Sequence, residues 1–322
     1  MSRELLITDI QRFSTNDGPG FRTNVFIKGC SMKCSWCHNP ETISIQRDLF
    51  WKKRLCIQCV SCADCCPENA ILFPENENLQ SDHPKEFDEN FHMIDREKCT
   101  RCMACVEVCP SGAMEISGTA TTIDEIIKEV KSDMPFYANS GGGMTISGGE
   151  PTTQNQTTAD LIDRAQAHGI NVCLDTNGYC LWDTFQTLTK KADIVLFDLK
   201  HLDAKLHMKE TGVDNQLILE NLQKLTQYHM HIWIRIPIIP NFNQNNLFYE
   251  QASDYLANLN GKIERIDLLP FHNWCEDKYS WLGKKWPHKE HMALDPSIVE
   301  PALKIFQKKG LRTTNGGSGF EK

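Results

Sequence analysis

Three cysteines stand in the stretch GCSMKCSWCHNPE, Gly29 to Glu41, at Cys30, Cys34 and Cys37. Thiolates at this C-x3-C-x2-C spacing suit a soft metal. A cubane iron–sulfur cluster or a structural zinc site, when closed, takes four protein ligands. Either a distant residue completes the set, or one metal position stays open for chemistry. The chain has 15 cysteines in 322 residues, and 12 of them fall between Cys30 and Cys109. The start, MSRELLITDIQRFS, has no apolar stretch behind basic residues, so no signal peptide is expected and a cytoplasmic chain is. Metal or redox chemistry is then a better use for the cysteines than disulfides. Cys173, Cys180 and Cys275 are scattered and read as packing residues.

Two further runs repeat. CIQCVSCADCCP carries Cys56, Cys59, Cys62 and Cys66; CTRCMACVEVCP carries Cys99, Cys102, Cys105 and Cys109. Both match C-x2-C-x2-C-x3-C-P, the run of bacterial ferredoxins with two 4Fe–4S clusters, in which the fourth cysteine ligates the other cluster. One cluster is therefore expected on Cys56, Cys59, Cys62 and Cys109, the other on Cys99, Cys102, Cys105 and Cys66. Spacing and the following Pro67 select Cys66 over Cys65, which reads as a spare thiol. Zinc sites pair two C-x2-C units and do not repeat this eight-ligand pattern. With eight cysteines so used, Cys30, Cys34 and Cys37 stand alone. The economical reading is a third 4Fe–4S cluster with one iron lacking a protein ligand, the open position that a catalytic site keeps.

The elements that must position these residues follow from the hydrophobic pattern. Residues 1–49 and 118–322 alternate β-rich runs with helical patterns; residues 50–117 read as an insertion. Strands are expected at TNVFIKG (23–29), GMTISGG (143–149), INVCLDT (170–176), DIVLFDLK (193–200), HIWIRIPII (231–239) and IERIDLLPF (263–271). Helical stretches follow each of the last five, and TTIDEIIKEVKSD before the second strand has the Thr122…Glu125 spacing of a capping box. Such alternation implies a parallel sheet with helices outside, and six units fit an open or incomplete (βα)6 TIM-type barrel. Ligands in these sheets sit at the C-terminal strand ends. Cys30, Cys34 and Cys37 follow strand one there, Ser147 to Glu150 follow strand two, and Asp175 and Thr176 end strand three. Asp198 and Lys200 end strand four, and His272 follows strand six.

Charge and hydropathy exclude other classes. The net charge of −8 gives no basic footprint for nucleic acid, and no run of 18 apolar residues suggests a membrane span. The stretch GGGMTISGGEP lacks the G-K-[ST] of a phosphate-binding P-loop. The polar stretch PENENLQSDHPKEFDENFH between the cysteine runs reads as an exposed loop.

The set DGPGFRT (17–23), GCSMKCSWCHNPE (29–41), SGGEP (147–151), CLDTNG (173–178), FDLK (197–200) and LLPFH (268–272) resembles the radical S-adenosylmethionine superfamily. More narrowly it resembles the glycyl-radical enzyme activating proteins with a ferredoxin-like insertion. The resemblance implies that S-adenosylmethionine chelates the open iron through its amino and carboxylate groups. It implies reductive cleavage to methionine and a deoxyadenosyl radical, which removes hydrogen from a glycine of a partner enzyme. It also implies a flavodoxin or ferredoxin electron donor, and a monomer is expected. In these roles Trp36 and His38 flank Cys37 to meet the adenine, with loop packing the other reading of Trp36. Gly148 and Gly149 let backbone approach the methionine moiety. Glu150 accepts from its ammonium. Asp175, Asp198, Leu199 and Lys200 face the ribose and carboxylate, or the two aspartates and Lys200 place a monovalent cation there. His272 reaches the nucleoside, while Asp17 and Arg22 pin the first strand's turn. Two rival functions are a radical enzyme acting on a small molecule or peptide, and a three-cluster electron carrier.

Overall fold

The computed structural model describes residues 3–73 and 91–320. The long strand β1 (Glu4–Ser14) turns back into β2 (Arg22–Ile27), and the chain then enters the insertion at β3 (Asp48–Trp51). Two single-turn helices, α1 (Ser61–Asp64) and α2 (Ala104–Glu107), lead to β4 (Met114–Ser117), β5 (Thr119–Thr122), α3 (Ile123–Lys131) and α4 (Met134–Ser140). Alternation follows: β6 (Gly143–Gly148), α5 (Asn155–Gln166), β7 (Asn171–Thr176), α6 (Trp182–Thr189), β8 (Ile194–Asp198), α7 (Ala204–Thr211) and α8 (Gln216–Leu225). Then come β9 (Ile232–Ile238), α9 (Asn246–Ala257), β10 (Arg265–Pro270), α10 (Glu276–Trp281), α11 (Glu300–Lys308) and β11 (Thr313–Asn315).

These strands form one nine-stranded sheet in the order β11-β10-β9-β8-β7-β6-β2-β1-β5. From β2 to β11 every neighbouring pair is parallel, while β1 is antiparallel to both β2 and β5. All six expected strands are present. Their central residues are apolar and buried because helices cover the sheet, as parallel strands require. The sequence reading did not include β1, β5 or β11. β1 alternates apolar and polar residues along an edge region, a weaker signal than a continuous apolar run. No pairing of β11 with β5 closes the sheet. Instead the C-terminal tail crosses to the β1–β2 turn, where Gly319 N donates to Thr15 O at 2.6 Å and Gly20 N to Gly319 O at 3.2 Å.

Local chemistry sets the helix ends. The capping box at α3 is formed, with Glu125 N donating to Thr122 Oγ1 at 3.2 Å and Thr122 N to Glu125 Oε2 at 2.9 Å. Asp203 caps α7, and Gly212 ends it in the left-handed region (φ +84°), where glycine has no Cβ penalty. The main core lies between sheet and helices. The insertion has its own, built from Trp51, Met93, Met103 and Met114, with Leu49 joining from just before it. β3 and β4 pair antiparallel from Asp48↔Ser117 to Trp51↔Met114 and bring the insertion's two ends together. Residues 74–90 of its acidic stretch lie outside the described residues. Phe91 and His92, read with that loop, instead pack against Trp51, with ring centroids 5.9 and 5.4 Å away.

Candidate active site

A cavity of about 800 Å³ opens at the C-terminal ends of the parallel strands. It is lined by Cys30, Cys34, Trp36, Cys37 and His38 from the segment after β2, and by Ser147, Gly148 and Gly149 from β6. β7 and β8 contribute Asp175 and Asp198, Lys200 follows, and His272 comes from beyond β10. Residues separated by up to 242 positions in the chain thus share one wall. Two expected residues do not reach it. Leu199 is core-packed at 1% exposure, and Glu150 is wholly buried. The Glu150 carboxylate accepts from Thr176 Oγ1 (2.8 Å), Asn177 N (2.8 Å) and Thr152 N (3.1 Å), so it joins its own loop to the end of β7. Burial raises its pKa.

The cysteine loop is held from distant elements. Lys33 N and Ser35 N donate to Thr211 O (2.8 Å) and Glu210 O (2.9 Å) at the end of α7. Cys30 N donates to Ile43 O at 3.0 Å, and the Tyr279 hydroxyl on α10 donates to Cys37 O at 3.0 Å. Trp36 is buried against Phe242, ring centroids 4.9 Å apart, while still lining the cavity. The two glycines make room for the protein's own backbone. A Cβ on Gly149 would lie 2.1 Å from Gly29 O, and one on Gly148 would lie 2.4 Å from Ile27 N. Their absent side chains therefore let β6 close on the strand that carries the cysteines.

Burial controls the electrostatics. It pushes the Cys30 thiol up to about 12 and raises Cys34 and Cys37 as well. Apolar surroundings disfavour a bare thiolate; a bound cation reverses that preference by taking the proton's place. Met32 N and Asn177 Nδ2 point at Cys30 Sγ, at 3.4 and 3.6 Å, and would stabilise a thiolate there. Burial would lower Lys200, but Asp198, 2.6 Å away, outweighs it and raises the ammonium. Burial raises Asp175 to about 6, against the pull of Arg235. His38 and His272 rings lie 3.9 Å apart, and burial lowers both, His38 to about 4.

Sequence reasoning missed Arg235. Its Nη1 reaches Asp17 Oδ1 at 3.2 Å and Asp175 Oδ2 at 3.1 Å, tying the β1–β2 turn to β7. An arginine inside the apolar run HIWIRIPII was the available signal, because a buried guanidinium needs carboxylate partners. Arg22 bonds Thr145 Oγ1 (3.0 Å) and Asn171 Oδ1 (2.9 Å), and Asp17 accepts from Asn24 Nδ2 at 2.6 Å; both act within the sheet's own framework. Two buried polar atoms at the cavity have no partner among the described residues, His272 Nδ1 and Arg235 Nε. A polar ligand fits such a wall.

In the insertion, one small cavity is lined by Cys56, Cys59, Cys62 and Cys109, and a second by Cys66, Cys99, Cys102 and Cys105. Cys65 lines neither. Gln58, Val60, Arg101 and Met103 all adopt positive φ, at 57, 58, 59 and 70°. They flank the middle cysteine of each run identically. Left-handed residues beside right-handed ones turn successive N–H groups inward, as anionic clusters require. Ala70 N donates to Cys66 Sγ (3.3 Å) and Met114 N to Cys109 Sγ (3.4 Å), so each fourth cysteine receives a backbone N–H from the segment that follows it. Among the described residues no three His, Cys, Asp or Glu side chains converge on a single-ion site, so each quartet is marked by its void.

Residues 96–247 match the Radical SAM superfamily, and residues 55–113 match a 4Fe-4S dicluster domain. A radical SAM methyltransferase from Sphaerobacter thermophilus superposes with a TM-score of 0.52 at 10% identity, covering 96% of this chain and 76% of that one. The fold is that of a radical S-adenosylmethionine protein with a dicluster domain. The chain is 38% identical over 318 residues to the (2S)-3-sulfopropanediol dehydratase activating enzyme of Klebsiella oxytoca, covering 97% of this chain and 96% of that protein. It is 36% identical over 315 residues to the trans-4-hydroxy-L-proline dehydratase activating enzyme of Clostridioides difficile, covering 97% and 99%. It belongs to the glycyl radical enzyme activating enzymes.

Proposed function

We propose that this chain installs the radical on a glycine of one partner enzyme, using S-adenosylmethionine bound in the cavity beside Cys30, Cys34 and Cys37. The observation that carries the reading is the convergence of three thiols and five strand ends on one cavity. The parallel strands make an incomplete barrel from residues 1–49 and 118–322, and residues 50–117 hold two further clusters. The separate insertion core and the paired cysteine cavities support that division.

When bound, the open cluster and S-adenosylmethionine supply one-electron reductive cleavage and a carbon radical that takes hydrogen from the glycine α-carbon. The chain's own residues orient and seal. Cys30, Cys34 and Cys37 would hold three irons, and Met32 N and Asn177 Nδ2 would temper the charge on Cys30. Asp175, Asp198 and Lys200 would meet the ribose and carboxylate, or would place a monovalent cation near them. His272 Nδ1 and His38 face the nucleoside. Glu150 positions the β7 loop. A flavodoxin or ferredoxin supplies electrons, and the chain acts as a monomer.

The test is anaerobic incubation of the reconstituted chain with S-adenosylmethionine, reductant and a glycyl radical enzyme encoded beside it. A glycine-centred doublet in the electron paramagnetic resonance spectrum is expected. Deuterium on the glycine α-carbon should pass into deoxyadenosine. Deoxyadenosine without deuterium, for every adjacent partner, would sink the reading and favour a small-molecule substrate.

A further inference from the structure

Among the described residues, the insertion packs against one short helix of the rest of the protein, α10. His92 Nε2 faces Trp281 O, the last residue of α10, at 3.2 Å. Arg96 Nη2 donates to Leu49 O at 2.7 Å and approaches the same Trp281 carbonyl at 3.5 Å. Phe50 packs edge-on against the Trp281 ring at 5.5 Å, and Lys52 Nζ lies 5.2 Å from its centroid. Just beyond the helix, Gly283 (φ +68°) leaves room for the His92 ring, which a Cβ would approach to 2.8 Å.

The same helix grips the catalytic loop. Tyr279 donates to Cys37 O at 3.0 Å, and Lys278 Nζ reaches Asn39 Oδ1 at 2.8 Å and Glu41 Oε1 at 2.6 Å. On the insertion side, Trp51 both packs on His92 and lines the cavity of Cys56, Cys59, Cys62 and Cys109. A continuous chain of contacts therefore runs from that cavity through Trp51, His92, the α10 backbone and Tyr279 to Cys37.

We infer that α10 is the coupling element of the protein: it fixes the Cys56/Cys59/Cys62/Cys109 set relative to Cys37 and carries one electron between them. This rests on the reading that both cysteine sets hold iron–sulfur clusters. One electron enters from a low-potential donor protein, leaves the inserted set and arrives at the Cys30/Cys34/Cys37 set. No bond is made or broken and no proton moves. His92, Gly283 and Tyr279 are positioning residues in this scheme.

The experiment uses the full reconstituted chain, reduced by a protein donor and sampled by freeze-quench electron paramagnetic resonance. S-adenosylmethionine perturbs only the spectrum of the site with an open iron, which separates the two sets of signals. His92→Phe keeps a ring against Trp51 but removes the bond to Trp281. Gly283→Ala pushes His92 away. Both should slow the appearance of the reduced open site severalfold, with iron content and midpoint potentials unchanged. Unchanged rates in both variants at full iron content overturn the proposal. If His92→Phe sheds inserted iron, Tyr279→Phe decides, because it cuts the path on the other side of α10. Transfer as fast as in the parent then refutes the path. Wild-type protein holding only about four irons would instead defeat the cluster reading beneath it.

Discussion

In the insertion, each cysteine run carries its own geometry. Gln58 and Val60 in one run, and Arg101 and Met103 in the other, take left-handed conformations around the middle cysteine. Such conformations cost about 1–3 kcal/mol each for side-chain-bearing residues, most for the β-branched valine. The 30–37 loop contains no left-handed residue. It is shaped from outside, by backbone acceptors on α7, by Ile43 and by the Tyr279 hydroxyl. The insertion quartets surround small voids, whereas the triplet faces a cavity of about 800 Å³. A closed site can be written into two short runs of about a dozen residues each, every run supplying its fourth cysteine to the other. An open one has to be assembled by the whole sheet, because the space it leaves for substrate must be walled by other strands.

The largest expected effect comes from removing a ligand of the open site. Cys34→Ala should abolish deoxyadenosine formation and leave the two inserted clusters, with iron falling from about twelve to about eight per chain. Full cleavage by this variant would erase the distinction between the two regions.

Next is the ion-pair hub of the open site. Arg235→Met leaves the half-buried Asp17 and Asp175 without their cation, and should destabilise by about 1–3 kcal/mol. Thermal unfolding measures it. The pH dependence has a definite sign. Asp175 is raised to about 6 from 3.8, so between these values the folded chain holds a proton that the unfolded chain has released. That carboxylate's contribution improves as pH falls through this window, and worsens as pH rises through it. In Arg235→Met the improvement on acidification should be larger, since the guanidinium no longer favours the charged form. A variant no less stable than the parent at pH 7 would show that the hub is not what joins the β1–β2 turn to β7.

A smaller effect is expected from the insertion. Cys102→Ala should lose one inserted cluster yet retain part of the cleavage activity with dithionite, which can reduce the open site directly. Complete loss of cleavage, with iron still present on Cys30, Cys34 and Cys37, would mean that the two regions are not separable.

The same contrast explains what the sequence disclosed. The partition of eight cysteines into two sets follows from local spacing, and the two cavities gather the same two sets. The six central strands were legible because burial on both faces writes a continuous apolar run. β1 and β5 were not, because Glu4–Ser14 and Thr119–Thr122 lie toward the antiparallel edge and mix polar with apolar residues. At the open site, spacing located the strand-end residues but not their partners. Glu150 has the sequence position of a ligand contact, yet its carboxylate is taken by Thr176 and Asn177, 26 and 27 residues on. Arg235 sits inside a strand that reads as core. Only the packed sheet shows that it holds Asp17 and Asp175, 218 and 60 residues away.

The smallest expected effect is also the finest test of local encoding. Cys65 and Cys66 are adjacent, and one ligand position is available between them. Cys66 lines the cavity with Cys99, Cys102 and Cys105, and receives Ala70 N at 3.3 Å, as Cys109 receives Met114 N from the segment after it in the other half. Cys65 turns back into its own helical turn, its thiol directed at Cys62 O at 3.5 Å. Serine keeps that shape and a better donor. Cys65→Ser should therefore retain about twelve irons and full cleavage, with stability changed by no more than about 0.5 kcal/mol. Cys66→Ser should lose one inserted cluster. Iron analysis of the two variants side by side decides the matter. Loss of iron in Cys65→Ser, with retention in Cys66→Ser, would overturn the ligand assignment and the internal symmetry on which it stands.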